Sequence, residues 1–187
     1  MNENKQLSEF MDFVIPQLSK HLRILKITNR EANAFFRKYH YLHRIRRSKK
    51  ICYAILIKGV VVGFLEFSYP IWHRRRGVIP PYKQGEVVEL SRVCLLDSAP
   101  KNSESCAISK ALKQIKSDWK SSTGIMPKVV VSYSDKKGQG HSGGIYKAVG
   151  FKIIGVSHRK THRCGSMRHP HPYSSDDGKL LYAISII

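Results

Sequence analysis

A strand, a polar loop, a helix and a second strand follow one another between residues 87 and 133, and this unit constrains the fold most strongly. The run "VVELSRVCLL" reads as a strand, and the valines of "KVVVSY" are typical of a buried strand. Between them, one helical face collects Ile108, Ala111, Leu112 and Ile115. A helix placed between two such strands predicts an α/β domain.

The flanking elements extend this unit to the order α, β, α, β, β, β, α, β, α, β, β. Residues 7–22 and 29–41 show helical spacing, with Asn29 as the predicted N-cap of the second helix. Two β-rich runs around Lys58-Gly59 predict a hairpin. No internal repeat or low-complexity linker interrupts the chain, and 187 residues can bury one core. We therefore expect a single domain over residues 1–187, with a mixed central sheet flanked by helices.

The charge balance indicates a polyanionic partner. The chain has 33 Lys and Arg against 13 Asp and Glu, which leaves a net charge of +20. Such self-repulsion favours nucleic acid, because neutralised phosphates release counterions. The basic residues do not form one face of a long amphipathic helix, and no stretch reaches the roughly 18 apolar residues of a membrane span. We expect double-stranded DNA as the partner, no membrane, and a cytoplasmic protein.

The helix after "LLDSAP" begins with Asn102, Ser103, Glu104 and Ser105. Asn or Ser near an acidic residue is typical of helix capping. The exposed amides and the dipole of a helix start also suit a phosphate or another anion. Since both interpretations use the same amides, they exclude each other only in part.

Two further positions combine an ordinary interpretation with a chemical one. His40 and Tyr41 end an aromatic-rich helix, where they could fill the core, form a surface tip, or act in ligation or acid-base chemistry. Asp135 lies just past a buried strand, where open α/β sheets usually place ligands. Asp is also an ordinary turn residue.

Arg92 and Tyr146 also have two interpretations each. Arg92 alternates with apolar neighbours on a strand that should be central, so its guanidinium needs a carboxylate, a cofactor anion or a strand-end carbonyl. A salt bridge to Glu89 or Glu66 is the structural alternative to a catalytic role. Tyr146 lies on the short helix after "HSGG", where it could simply pack beside Phe151.

Three stretches taken together resemble a known family: "KYHYLHR" at 38–44, "VELSRVCLLDSAPKNSES" at 88–105 and "VVSYSDKKGQGHSGGIYKAVGF" at 130–151. They are similar to the Mom family of phage DNA adenine-modification proteins, whose fold is acetyltransferase-like (GNAT-related). The resemblance covers most of residues 30–157. It implies transfer of a carbamoylmethyl group to the exocyclic amine of adenine, an associated iron ion, and protection of phage DNA from restriction in the host cytoplasm.

The resemblance also implies roles for individual residues. His40, Tyr41 and Asp135 become the metal-site candidates and, with Arg92 and Tyr146, the catalytic candidates. A tyrosine at the position of Tyr146 commonly serves this superfamily as a general acid near the cofactor sulfur. Asn102, Ser103 and Ser105 would bind the pyrophosphate of a coenzyme A-type donor, although "APKNSES" lacks the glycines usual in that loop. The alternatives are a coenzyme A-dependent N-acetyltransferase and a non-catalytic basic DNA-binding protein.

Basic loops supply the predicted DNA contacts. They combine guanidinium, imidazole and aromatic groups, a mixture that suits phosphate clamping and minor-groove entry. An extruded adenine would need aromatic faces, for which Tyr39, Tyr41, Trp72 and Tyr82 are candidates. Paired half-sites in the DNA would require a homodimer. The predicted DNA-binding residues are Arg44, Arg46, Arg47, Arg74, Arg75, Arg76, Arg159, Lys160 and Arg163.

Overall fold

The computed structural model describes residues 18–43, 45, 50–70, 82–134, 143–157 and 179–187. These residues build a sheet with helices packed against it, in the predicted order of elements. The strands are β1 (Leu22–Ile27), β2 (Lys50–Ile57), β3 (Val60–Ser68), β4 (Val87–Leu95), β5 (Val129–Ser134), β6 (Lys152–Ser157) and β7 (Lys179–Ser185). The helices are α1 (Asn29–Tyr39), α2 (Ser103–Thr123) and α3 (Gly144–Val149).

The seven strands form one mixed sheet in the order β1-β2-β3-β4-β5-β7-β6. Only β4 and β5 pair in parallel; the other neighbouring strands are antiparallel. The predicted α/β fold with a mixed central sheet is therefore confirmed, and β4 is the middle strand. Of the predicted helix over residues 7–22, the structure describes Leu18–His21, which are helical, and β1 already begins at Leu22.

Helix α2 covers one face of the sheet and contributes most to the core. Its residues Ile108, Ile115 and Trp119 are fully buried, as the predicted apolar stripe requires. The indole Nε1–H of Trp119 donates to the carbonyl oxygen of Gly85 at 2.9 Å, so the buried polar group is satisfied. None of the helices among the described residues has the length and apolar character to cross a membrane.

Helix α1 packs on the opposite face, and its cap differs from the prediction. The N-cap is Thr28, not Asn29: the Thr28 hydroxyl accepts from the Glu31 amide, and the Glu31 carboxylate accepts from the Thr28 amide at 2.9 Å. Thr-x-x-Glu is the capping-box spacing, which outweighs the cap preference of Asn alone. Ala32 and Phe36 bury this helix against the sheet beside Cys52.

The predicted hairpin at Lys58-Gly59 joins β2 to β3. Lys58 has φ +50° and Gly59 has φ +83°. Positive φ at both central residues is the requirement of the two-residue turn whose twist matches the flanking strands. Asn and Gly adopt this conformation readily, whereas lysine does so at some cost.

A buried polar network links α1 to three strands on the same face. Lys50 Nζ donates to Glu66 Oε2 at 2.7 Å and to Asn33 Oδ1 at 2.6 Å. Ser91 Oγ donates to the other carboxylate oxygen of Glu66 at 2.9 Å. Lys50 and Glu66 are 8% and 0% exposed, so their charges depend on each other and on these hydrogen bonds. The network ties the strand position next to Arg92 to the second turn of α1.

Candidate active site

Strands β4 and β5 separate at their carboxyl ends. Their pairing stops at Glu89 and Val131, although β4 continues to Leu95 and β5 to Ser134. Just past the last pair, Ser132 Oγ donates to the carbonyl oxygen of Leu90 at 2.9 Å, which satisfies a carbonyl that the parting strands would leave unpaired. The strands therefore enclose a wedge, and such strand ends are where open α/β sheets bind ligands.

A second buried hydroxyl, that of Ser134, lies at this wedge. Ser134 ends β5 and is 3% exposed, and its Oγ has no hydrogen-bond partner among the residues that the structure describes. A buried hydroxyl without a partner costs free energy, so it is a candidate contact for a bound ligand. The sequence prediction missed Ser132 and Ser134, although the alternating hydroxyls of "VVVSYSD" were a visible signal.

The start of α2 faces the same end of the sheet. Asn102 occupies the N-cap with φ +67°, but its side chain makes no capping hydrogen bond. The hydroxyls of Ser103 and Ser105 donate to the carbonyl oxygens of Pro100 and Asn102, at 2.6 and 3.1 Å. These side chains therefore shape the turn and leave amides of the first helical turn without a side-chain cap, which favours the anion-binding interpretation.

His40 ends α1 with a buried, neutral ring. It is 5% exposed, its Nδ1 accepts from the Leu42 amide at 3.2 Å, and its ring stacks on Tyr41 with centroids 4.5 Å apart. Burial, helped by the positive charges of Arg92 and His43, lowers the pKa of His40 to about 4. Because Nδ1 accepts, the proton of the neutral ring is assigned to Nε2. His40 is thus a hydrogen-bond donor on its other side.

Arg92 is buried beside this histidine. It is 5% exposed, and its guanidinium carbon lies 5.5 Å from the ring centroid of Phe36, within cation–π range. Its charge also acts on the pKa of Cys94, two residues further along β4. Glu66, one of the two carboxylates considered for Arg92, accepts from Lys50 and Ser91. The guanidinium thus packs on α1 and belongs to the part of β4 that lies past its last pair with β5.

Tyr146 connects α3 to the wedge. Its hydroxyl lies 3.4 Å from the carbonyl oxygen of Tyr133. Burial raises the pKa of Tyr146 to about 12, while a hydrogen bond with Ser132 opposes the shift and the charges of Tyr41 and Glu104 reinforce it. Tyr146 is therefore protonated at neutral pH. The end of α1 and the start of α2 thus lie within electrostatic range of Tyr146.

Gly143 fixes the beginning of α3. It has φ +75°, and a Cβ at this position would overlap the hydroxyl of Tyr182. Tyr146 packs on Tyr182 and Phe151, with ring centroids 5.1 and 5.7 Å away. The predicted packing beside Phe151 and the predicted position near a ligand are thus compatible, since the ring packs while the hydroxyl lies at β5.

Of the predicted site residues, His40 stacks on Tyr41 and lies within electrostatic range of Arg92, and Tyr146 lies within such range of Tyr41. Asp135 directly follows Ser134 but lies outside the described residues. The predicted DNA-binding residues, from Arg44 to Arg163, also lie outside them.

The described residues do not fit the iron site that the sequence resemblance implied. Within the described ranges no group of three or more His, Cys, Asp or Glu could hold a metal. His40 uses its Nδ1 lone pair to accept from Leu42, so a neutral ring offers a donor and not a ligand at Nε2. The nearby Arg92 charge also disfavours a cation. Of the predicted iron ligands that the structure describes, Tyr41, which is 37% exposed, is the one that could still ligate a metal ion.

The depressed pKa of His40 predicts a specific loss of stability in acid. The folded pKa of about 4 lies below the unfolded value of 6.5, so the unfolded chain binds more protons between these values. Stability should therefore fall as the pH drops from about 6.5 to 4, by up to roughly 3 kcal/mol from this residue. Urea unfolding across this range should show that loss in the wild type and a smaller one in His40→Asn. Equal pH slopes would contradict the assignment.

Comparisons with known proteins match both the sequence and the fold. The Mom protein family matches residues 21–180. The methylcarbamoylase Mom of Escherichia phage Mu is 32% identical over 157 residues, which cover 82% of this chain and 61% of that relative. The chain thus spans less than two thirds of the length of that protein.

Solved acetyltransferases share the fold. The aminoglycoside 6'-acetyltransferase type Ii superposes with a TM-score of 0.53 at 16% identity, over 88% of this chain and 97% of that one. A Bacillus subtilis acetyltransferase in complex with CoA gives 0.55 at 15% identity, over 89% and 99%. A GNAT family acetyltransferase from Elizabethkingia anophelis with acetyl-CoA bound gives 0.54 at 10%, over 88% and 98%. The predicted GNAT-like fold is confirmed.

Proposed function

The chain belongs to the Mom protein family, and we propose that it is a transferase that adds a carbamoylmethyl group to the exocyclic amine of adenine in double-stranded DNA. The main support is the convergence of His40, Tyr41, Arg92 and Tyr146 where β4 and β5 part. The name methylcarbamoylase of the phage Mu relative agrees with this chemistry. The net charge of +20 suits a DNA substrate. The modification would protect phage DNA from restriction in the host cytoplasm.

Adenine must leave the base stack to reach the wedge. Its exocyclic amine is a poor nucleophile within the ring system, and extrusion needs a face on which the base can stack. Tyr39 and Tyr41 are 46% and 37% exposed at the end of α1. Tyr41 already stacks on His40, so its ring is held in place and supplies an aromatic surface beside the wedge.

The site residues have different proposed roles in proton transfer and charge stabilisation. Tyr146 keeps its proton at neutral pH and donates it to the leaving group. His40, a donor through Nε2, and the Arg92 guanidinium stabilise negative charge that develops in the transition state. Asp135, which follows the last residue of β5, is the proposed base for the amine proton. No step of this proposal uses a metal ion.

The donor site is proposed at the start of α2. The amides of the first turn near Asn102, Ser103 and Ser105 carry no side-chain cap, and the parted strands lead towards them, which fits a phosphate-bearing donor of the coenzyme A type. The bond from N6 of adenine to the CH2 of the carbamoylmethyl group would form as the bond from that CH2 to the donor sulfur breaks, and the leaving thiolate would take the proton of Tyr146. Ser132, Ser134 and Tyr146 line the path between these amides and the adenine. Glu104 in the same turn would oppose a phosphate and so weaken binding.

A coenzyme A-dependent N-acetyltransferase is the second candidate, because the same helix start suits it equally well. A restriction digest tests the proposed protection of DNA. DNA from cells that produce the protein should resist endonucleases that contact adenine in their recognition sites, whereas DNA from cells with Tyr146→Phe should be cut normally. Complete cutting of both DNA samples would count against the proposed protection.

A further inference from the structure

A basic cleft lies on the β1 side of the sheet, away from the wedge. Lys20, His21, Arg23 and Lys58 line it with Leu56 and Gly59, and its volume is about 300 Å³. None of the described residues that line it is acidic. We call these six residues the β1 cleft.

Backbone contacts hold the cations of the β1 cleft together. The Lys58 amide donates to the carbonyl oxygen of His21 at 3.3 Å, and Leu22 pairs with Ile57. The hairpin turn is thus fixed against the end of the helical segment that precedes β1. Lys20 and Arg23 on one segment and Lys58 on the other present their charges to one space.

Although three strands apart, the β1 cleft and the wedge lie at the same end of the sheet, where β4 finishes. Gly63 of β3 pairs with Leu95 of β4, and the Leu96 amide donates to the carbonyl oxygen of Val62 at 2.8 Å. The Lys58-Gly59 turn and the carboxyl end of β4 therefore lie at the same end of the sheet, which we call the upper end. Three strand spacings of about 4.8 Å separate β1 from β4 by about 14 Å. This span equals about four base-pair rises of ~3.4 Å.

Lys20, Arg23 and Lys58 of this cleft differ from several other lysines of the fold in their ion pairing. Lys26, Lys50 and Lys128 form ion pairs with Asp118, Glu66 and Glu86. Within the described ranges, no such pair includes Lys20, Arg23 or Lys58. A concave cluster of cations with no acidic residue in its described lining suits an anionic group from outside the chain.

We propose that the β1 cleft binds backbone phosphates of duplex DNA and holds the duplex across the upper end of the sheet. The bound phosphates would lie about four base-pair steps from the adenine in the wedge. This inference rests on the proposed function, because it assumes that DNA is the substrate. The contacts are with phosphates and not with base edges, so the cleft sets the position of the duplex and not its sequence.

The test is the salt dependence of DNA binding by the double variant Arg23→Gln/Lys58→Asn. Asn suits the positive φ of position 58, so the charge is removed without strain in the turn. The plot of the logarithm of the DNA association constant against the logarithm of the salt concentration should become less steep by about 2, at ~0.9 per phosphate. The value of kcat at saturating DNA should be retained. The control Lys120→Gln/Lys152→Gln removes two exposed charges outside the cleft, one in the last turn of α2 and one at the first residue of the edge strand β6, and should leave the slope unchanged.

Two results would overturn the inference: an unchanged slope in the cleft variant, or an equal loss in the control. Calorimetry with coenzyme A separates the other source of phosphate, because weaker coenzyme A binding with a normal DNA slope would assign the cleft to the donor. If the wild type modifies DNA while the cleft variant binds it normally, the proposed function stands and the cleft assignment fails. If the wild type neither binds nor modifies DNA, both fail.

Discussion

Tyr146→Phe is expected to lower kcat for adenine modification by about 10²- to 10⁴-fold, the usual contribution of a positioned general acid. The substitution removes only the hydroxyl, so the ring still packs on Phe151 and Tyr182. The substitution removes the long hydrogen bond to Tyr133, at 3.4 Å, and the hydrogen bond with Ser132, so the free energy of unfolding should change by less than about 2 kcal/mol. Single-turnover kinetics with saturating DNA would measure the effect directly.

Tyr69→Phe is the matched control for this variant. Tyr69 packs on Trp119 just past the end of β3, at the end of the sheet opposite the wedge. Removing its hydroxyl should therefore leave kcat unchanged. DNA affinity should be the same in both variants. A purely structural role for Tyr146 would instead lower stability and affinity together, and a Tyr146→Phe enzyme with wild-type kcat would remove the residue from the acid role.

Breaking the Lys50–Glu66 pair should produce the largest loss of stability. Lys50→Met leaves the Glu66 carboxylate buried with the hydrogen bond from Ser91, and loss of one partner of a buried pair costs about 3–5 kcal/mol. The double variant Lys50→Met/Glu66→Gln should recover much of this loss, because neither charge is then buried alone. Urea unfolding of the singles and the double would measure the coupling free energy.

The matched control is Lys128→Met, which breaks the more exposed Lys128–Glu86 pair. The Lys128 side chain is 46% exposed, so this loss should stay below about 1 kcal/mol. Equal losses for Lys50→Met and Lys128→Met would contradict the network. The network includes Ser91, which precedes Arg92 in β4, and Asn33 of α1. Lys50→Met should therefore shift Arg92 and so also lower kcat.

Local patterns were enough to predict most elements. Valine runs, helical spacing and the Lys58-Gly59 turn predicted the strands, the helices and the hairpin, and the family motifs predicted the fold. The cap of α1 differs, because the preference of Asn for N-caps predicts Asn29 whereas the Thr-x-x-Glu spacing of Thr28 and Glu31 determines the cap. A capping box satisfies two backbone amides, and a lone Asn satisfies one.

The site depends on contacts that spacing does not encode. Periodicity shows which face of a strand is buried, but the parting of β4 and β5 after Glu89 and Val131 depends on the pairing of strands distant in sequence. The hydrogen bond of Ser132 to Leu90 and the buried hydroxyl of Ser134 follow from that separation. The tautomer of His40 follows from its contact with Leu42, which the sequence prediction of a metal ligand did not include.

The most direct test is the mass of deoxyadenosine in DNA from cells that produce the protein. Total DNA is digested to nucleosides and compared with DNA from cells that produce Tyr146→Phe. The proposed function predicts a fraction of deoxyadenosine heavier by one carbamoylmethyl group in place of an amine hydrogen, and its near absence with the variant. Unmodified deoxyadenosine alone, or an increase equal to an acetyl group, would contradict it.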